Sequence, residues 1–475
     1  MRASSTLLLE WNGGRLGSGG WIANPALGCK IPRMTDQTAP IDLHPEPRSR
    51  MLGKWMSAAM VVGTMIGSGI YLLPTTLAPY GMNLVVAFLL TGFGTMCLAF
   101  VLARLARTIP GGPFAYVSQS FGETAAFVTL WSYIISQITG VAGVAVAVAG
   151  ALGHVFASVA AGPGLIGVAL GTIAILTVVN LYGARSAGFL QVIATLIKIV
   201  PLVAVVVLVA IRLGTGQPME ALAPVPLTLS AITICGALML FSLTGFEAAC
   251  VTANVTRDST ETVPAATIFG TGFTAIIYLF STVACLMLLP SAVAAQSTAP
   301  FADAVAPILG PIAGALVAII AAISAFGTAN ALLLFAAEMS RTIAGARDLP
   351  PVFRSTNRFG APVGSLLICA AISALLVFAS ATKDFVGVYV FITLVSTVAA
   401  LVLYIVCAAA ALKLKVMGPW TIVAVIGVLY SILMFVGAGL EATLWGFGLA
   451  IIGLPVRLIS RSLSGSSPPA EVGPA

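Results

Sequence analysis

The sequence predicts an all-α polytopic membrane protein of about twelve transmembrane helices, built as a five-plus-five inverted repeat with discontinuous helices 1 and 6. Three observations carry this. Charged residues make up only 8% of the 475 and hydrophobic ones 59%, against roughly 25% charged in a soluble domain, and mean hydropathy is +1.08. Apolar runs of about 20 residues, enough to cross a bilayer core of roughly 30 Å, recur from Trp55 to the neighbourhood of Arg457. Two of those runs, first and sixth, are interrupted by glycine at corresponding places of two five-span halves.

Residues 1–50 are polar, rich in Gly and Pro, and hold no apolar run beyond Thr6 to Leu9, too short for a signal-peptide core. They are expected to be a disordered cytoplasmic tail, and Met34 offers a second start that would leave 1–33 outside the native protein. The membrane domain is expected over 51–460, with core helices 1 to 10 over 51–415 and helices 11 and 12 over 418–458. A second disordered tail follows at 461–475.

The first span contains G-T-M-I-G-S-G-I-Y-L-L-P, Gly63 to Pro74. Away from water an unpaired backbone group costs several kcal/mol, so Gly67-Ser68-Gly69 suits an unwound segment better than an ordinary helix. The freed N–H groups at the start of the second half-helix would then point, with the positive dipole end, into a midplane cavity that suits a carboxylate. Close packing against a neighbouring helix is the other reading of the same small residues.

The second span, Leu84 to Ala103, ends at Arg104 and Arg107, and Ile109 to Gly122 reads as an interfacial segment with turn chemistry in Pro110-Gly111-Gly112-Pro113. The third, Ala126 to Phe156, is long and so expected to tilt. Its Tyr133, Ser136, Gln137 and Gly140 share one inward face, as cavity lining or as packing contacts. The fourth runs from Leu165 to Leu181; the fifth, Phe189 to Ile211, aligns Gln191, Thr195 and Lys198. A lysine so deep in a span marks function by default, although its stem can snorkel.

The sixth span, Ala231 to Ala253, carries F-S-L-T-G-F-E, in which a glycine break precedes the intramembrane acid Glu247. That acid is either functional or a structural group satisfied by backbone donors. The seventh span, Ala265 to Leu289, has no such feature. In the eighth, Ile312 to Glu338, the residues Ser324, Gly327, Thr328, Ala331, Phe335 and Glu338 share a stripe, and Glu338 is expected to pair with Arg341 or to gate. A basic loop, Arg341 to Pro362, leads to the ninth and tenth spans, the tenth carrying Thr393, Ser396 and Thr397; spans eleven and twelve lack intramembrane charge.

Net charge is +7, yet its distribution argues against nucleic acid. Of 22 Lys and Arg, nineteen fall on the side of the N-terminus and alternate loops, only Arg212 and Lys383 on the other, with Lys198 in neither. By the positive-inside rule both termini are expected in the cytoplasm. Six of the seven cysteines lie in spans without metal-ligand spacing, and Cys29 lies in the tail, so buried thiols are expected and no metal site.

Four motifs in order, G-T-M-I-G-S-G-I-Y-L-L-P, I-P-G-G-P-F-A-Y with Phe121-Gly122, F-S-L-T-G-F-E, and R-T-I-A-G-A-R-D-L-P-P-V-F-R-S-T-N-R-F-G-A-P, resemble the amino acid–polyamine–organocation (APC) transporters. The pattern is most similar to the bacterial arginine–agmatine antiporter branch, over about residues 51–455. The resemblance implies the APC fold and secondary active transport across the cell inner membrane, with no cofactor and no enzymatic activity. It assigns substrate contacts to the unwound run Met65, Ile66, Gly67, Ser68 and Gly69. The Ser68 hydroxyl and the Ser68 and Gly69 amides would hold a carboxylate, and carbonyls of Met65, Phe241 and Thr244 an α-amino group. Phe241 would be an aromatic lid, and Glu247 the acid tied to pH response and distal gating.

The side-chain pocket departs from the arginine antiporter: Thr64 and Gly140 stand for asparagines, Ser136 for a cysteine, and Leu332 for the tryptophan that would cover a guanidinium. A neutral amino acid is therefore expected, with an arginine/agmatine-type cationic amino acid or polyamine antiporter, or a sensor that binds without translocating, as alternatives. Lys198 is aimed, by resemblance, at the region that a sodium ion occupies in sodium-coupled relatives of this fold. Its ammonium would make sodium unnecessary, and either brace the broken helix or carry a coupling proton. Partners are thus an amino acid, protons and the bilayer; the resemblance also admits a homodimer.

Overall fold

The computed structural model describes residues 53–109, 112–159, 162–182, 188–251, 256, 258–379 and 385–463. The two tails, Pro110-Gly111, Arg185, Arg257, Lys383 and the side chain of Gln191 lie outside the described residues.

The regular structure is helical, as lipid requires of a chain whose backbone groups must pair among themselves. Helix α1 (Lys54–Met65) and helix α2 (Ser68–Leu77) are two halves of one line, parted at Ile66-Gly67. Helix α3 (Asn83–Thr108) follows, its start fixed by Asn83, which donates to the carbonyls of Tyr80 and Pro226 and accepts from the Thr228 amide. Then come α4 (Gly112–Phe121), α5 (Glu123–Val155), α6 (Gly162–Leu181) and α7 (Gly188–Gly214).

The second half opens with α8 (Leu229–Leu243), whose N-cap Thr228 accepts from the Ala231 amide. It breaks at Thr244 to Glu247, ahead of the short α9 (Ala248–Val251). Helices α10 (Ser259–Leu288), α11 (Ser291–Ala294) and α12 (Pro300–Leu309) lead into α13 (Pro311–Gly345). After these come α14 (Val363–Ala379), α15 (Phe385–Lys413) and α16 (Thr421–Leu463), the last interrupted at Gly439, where φ is +81°.

Nine helices among the described residues are long and apolar enough to cross a membrane, counting α1 with α2 as one and α16 as one. The two longest uninterrupted ones, α5 with 33 residues and α13 with 35, pack along each other. Large apolar side chains such as Leu89, Phe93 and Val436 stand exposed on outer faces, as expected where the surrounding solvent is lipid. The described structure is that of a multi-pass, all-α membrane protein with a discontinuous first helix.

Candidate functional site

The site begins where α1 stops. Ile66 closes the last turn on the Val62 carbonyl at 2.8 Å, then its ψ of 90° and the φ, ψ of −126° and −144° at Gly67 carry the chain out of helical geometry. Unwinding frees carbonyls that water would otherwise have to satisfy, and remote side chains take them. The Lys198 ammonium donates to Gly63 (3.1 Å), the Tyr278 hydroxyl to Met65 (2.6 Å) and the Ser324 hydroxyl to Ile66 (3.2 Å). Lys198 is buried, and its own carbonyl accepts from the Tyr71 hydroxyl at 2.6 Å, which fastens α7 to both halves of the broken line.

The break after α8 faces this one. Gly245 sits at φ +108°, a conformation that favours glycine, and a Cβ there would lie 3.2 Å from the Met65 amide nitrogen, so the α8 break packs directly on the last turn of α1. Thr64 donates to the Gly245 carbonyl at 3.1 Å. The Phe241 carbonyl accepts from the Thr244 hydroxyl (2.7 Å) and amide (3.2 Å).

Between the breaks, α5 and α13 lies a cavity, about 490 Å³ with its open side included. Thr64, Met65, Gly67, Ser68, Gly69, Phe241, Thr244, Leu332 and Glu247 line it, so nine of the residues expected from the sequence meet there. Ile66, Ser136, Gly140 and Lys198 do not line it. Ser136 instead shares a hydrogen bond with Ser396 at 3.1 Å, and Gly140 makes room for Leu332, whose Cδ1 would lie 3.1 Å from an added Cβ. The wall that α5 contributes is Tyr133, Gln137 and Val144, which lie roughly 60 to 100° around the helix from Ser136.

Helix α2 offers its uncapped N-terminus to this cavity. The Ser68 hydroxyl is buried without a hydrogen-bond partner, the Tyr389 phenol approaching it outside bonding geometry. Free amides at a positive dipole end, with a spare hydroxyl beside them, fit a carboxylate. On its other side Ser68 borders a second, largely apolar cavity of about 310 Å³ with Tyr71, Leu72 and Phe301, so it stands between two spaces.

Glu247 is buried and fully engaged. It accepts from the Tyr133 hydroxyl at 2.6 Å, the Gly245 amide at 3.1 Å and the Tyr404 hydroxyl at 3.3 Å. These donors join the α8 break to α5 and α15. Glu338, by contrast, pairs with Arg341 at 2.9 Å on the exposed end of α13. Among the described residues no group of three His, Cys, Asp or Glu is placed to hold a metal ion.

The amino acid permease pattern matches residues 52–436, most of the chain. The chain belongs to the amino acid permease family. The permease is similar to the putrescine transporter PotE of Haemophilus influenzae, with 27% identity over 86% of this chain and 96% of that protein. It is 28% identical to a putative arginine/ornithine antiporter of Bacillus subtilis, over 86% of this chain and 97% of that one. It is also 28% identical to the cadaverine/lysine antiporter of Escherichia coli K12, over 68% of this chain and 73% of that one. The expected APC membership holds, and these relatives place the permease beside the polyamine and cationic amino acid antiporters of that superfamily.

Proposed function

We propose that this protein carries a neutral amino acid across the cytoplasmic membrane by alternating access, without sodium, by exchange or with a proton. The observation that carries the reading is the uncapped start of α2 with the unpartnered Ser68 hydroxyl, facing the α8 break across a cavity of about 490 Å³. A carboxylate seated there completes hydrogen bonds that the protein leaves open. Phe241 lies over the bound molecule as a lid, and release of the Glu247 tie to Tyr133 and Tyr404 opens one side.

In this reading α8 with the break after it forms the sixth crossing, α14 the ninth, and the two parts of α16 about Gly439 the eleventh and twelfth. That makes twelve, in two inverted repeats of five plus a final pair. With an even number both termini share a side, and the basic loops put that side in the cytoplasm. A C-terminal reporter that is active only inside the cell supports this, and an external one excludes it.

Uptake of labelled amino acids into proteoliposomes tests the function. Flux that saturates with a neutral amino acid and persists without sodium is the expected result; binding without flux makes the protein a sensor. A diamine or cationic amino acid is the second reading, favoured by the names of the three relatives above. Competition by arginine, ornithine or putrescine stronger than by any neutral amino acid selects it.

A further inference from the structure

We propose that Gln137 selects the substrate side chain, and that it takes a neutral group offering both a hydrogen-bond donor and an acceptor, a carboxamide foremost and a hydroxyl next. This rests on reading the cavity as the seat of a bound amino acid.

Gln137 stands on α5, one turn beyond Tyr133, at 3% exposure, and lines the cavity. Its Oε1 is buried without a partner. A buried amide with an unmet end is uncommon in folded proteins, because the lost hydration is returned only by a partner. A carboxamide presents two donors and one acceptor, and exchanging its oxygen and nitrogen leaves that inventory unchanged.

Most of the other donors in the lining are engaged, the Ser242 hydroxyl on α8 being the further polar group that meets the cavity, while the threonine hydroxyls keep acceptor lone pairs. The single proton of the Thr64 hydroxyl is shared among the carbonyls of Met60, Val61 and Gly245, Thr244 donates to Phe241, and Thr328 to the Ser324 carbonyl. Both oxygens of Glu247 are taken by Tyr133, Tyr404 and Gly245. The Ser68 hydroxyl, at the positive end of α2, is matched to the substrate carboxylate. Gln137 is the lining side chain whose buried amide oxygen has no partner, which suits it to reading the substrate side chain.

Three kinds of side chain can be compared against that amide. An ammonium satisfies only the oxygen of that amide, and the one carboxylate in the lining already serves three donors, so a cation meets no free counter-charge. A carboxylate satisfies only the NH₂ and stands in the same cavity as Glu247. An amide pairs with both ends of Gln137 at once, while its methylenes lie against Val144 and Leu332 on the cavity wall. A purely aliphatic side chain leaves Gln137 unpaired, which sites built around a polar group reject strongly.

The test is ligand-induced thermal stabilisation of the purified full-length protein by a panel of L-glutamine, L-asparagine, L-serine, L-threonine, L-leucine, L-aspartate, L-ornithine and putrescine, followed by competition against the strongest. In the parent an amide or hydroxyl amino acid should bind at least about 10-fold more tightly than leucine, ornithine or putrescine. Gln137→Leu, with Gln137→Met as a second apolar variant of similar length, should erase that preference about 10-fold or more while leucine binding holds or improves. Gln137→Glu should turn the preference toward ornithine. Ser68→Ala, in contrast, should weaken every amino acid alike and leave the ratios standing. A parent that favours leucine, or apolar variants that keep the parental ratio, overturns the inference about Gln137 while leaving amino acid binding intact; a parent that favours putrescine overturns the inference and selects the diamine reading. Stabilisation by no compound of the panel overturns the reading of the cavity as a substrate seat.

Discussion

The Lys198 ammonium lies 3.1 Å from the carbonyl oxygen of Gly63, the acceptor that the Gly67 amide would have used had α1 continued. A side chain from α7 thus replaces a helical hydrogen bond with a charge-assisted one, and the unwound state of the first span is held from outside.

Loss of Lys198 should therefore be felt as loss of transport. Lys198→Ala leaves the Gly63 carbonyl buried and unpaired, at a cost of about 1–3 kcal/mol, and removes the fixed charge beside the break. Net uptake should fall below detection, and parental uptake should be the same in sodium and in choline. A proton gradient imposed with and without amino acid inside the vesicle separates symport from exchange. Parental rates in the variant would show that the lysine neither braces nor couples.

The carboxylate seat should respond to single atoms. Hydrogen bonds to a charged partner are worth about 1.5–3 kcal/mol, so Ser68→Ala should weaken substrate binding by about 10-fold or more. Gly69→Val should abolish binding altogether. An added Cβ at Gly69 would lie 2.7 Å from the Ser242 Cα on α8, so the change presses on the facing half-helix as well as on the ligand. Gel filtration keeps the two effects apart: a monodisperse protein with unchanged affinity returns these glycines to simple packing.

Much of this was legible in the sequence, and the rest was hidden for identifiable reasons. Glycine in an apolar span is conspicuous because lipid penalises loose backbone, which exposed both breaks and their facing residues. The groups that satisfy the break were invisible, since Tyr278 and Ser324 stand 213 and 258 residues from the carbonyls they reach. Ser136 and Gln137 are neighbours in a stripe whose period is only approximate, and a shift of one residue decided which of them meets the cavity. The contact between Ser136 and Ser396 needed the packing of α5 on α15, which no local pattern encodes.

Glu247 should make transport pH-dependent through its three donors. Protonation converts one acceptor oxygen into a donor, leaving the Tyr133 and Tyr404 hydroxyls and the Gly245 amide to compete for what remains. The tie between the α8 break, α5 and α15 then loosens as pH falls through the titration of this carboxyl. Glu247→Gln should flatten the pH profile, and Tyr133→Phe should shift it while keeping a response. A Glu247→Gln protein with the parental profile would make the acid purely structural.

Asp348 should prove the costliest acid to remove for stability. It is 1% exposed in the loop after α13 and accepts from Arg457 at 2.9 Å and Arg461 at 2.7 Å, both on α16. Arg457 is itself buried at 5% exposure, donates at 2.6 Å to Thr124 at the start of α5, and lies over the Phe127 ring. Three elements distant in sequence are thus clamped about one carboxylate. Replacing it strands a buried guanidinium, and breaking a buried pair from one side costs about 3–5 kcal/mol, so Asp348→Ala should lower the thermal midpoint markedly. Arg461 is half exposed, where an ion pair contributes about 0–1 kcal/mol, so Arg461→Ala should change the midpoint little. Arg457→Met keeps most of the volume but leaves Asp348 with Arg461 alone, so its loss should fall between the two. Unfolding of purified protein followed by tryptophan fluorescence orders the three variants, and equal midpoints for Asp348→Ala and Arg461→Ala would show that the cluster does not hold α16 in place.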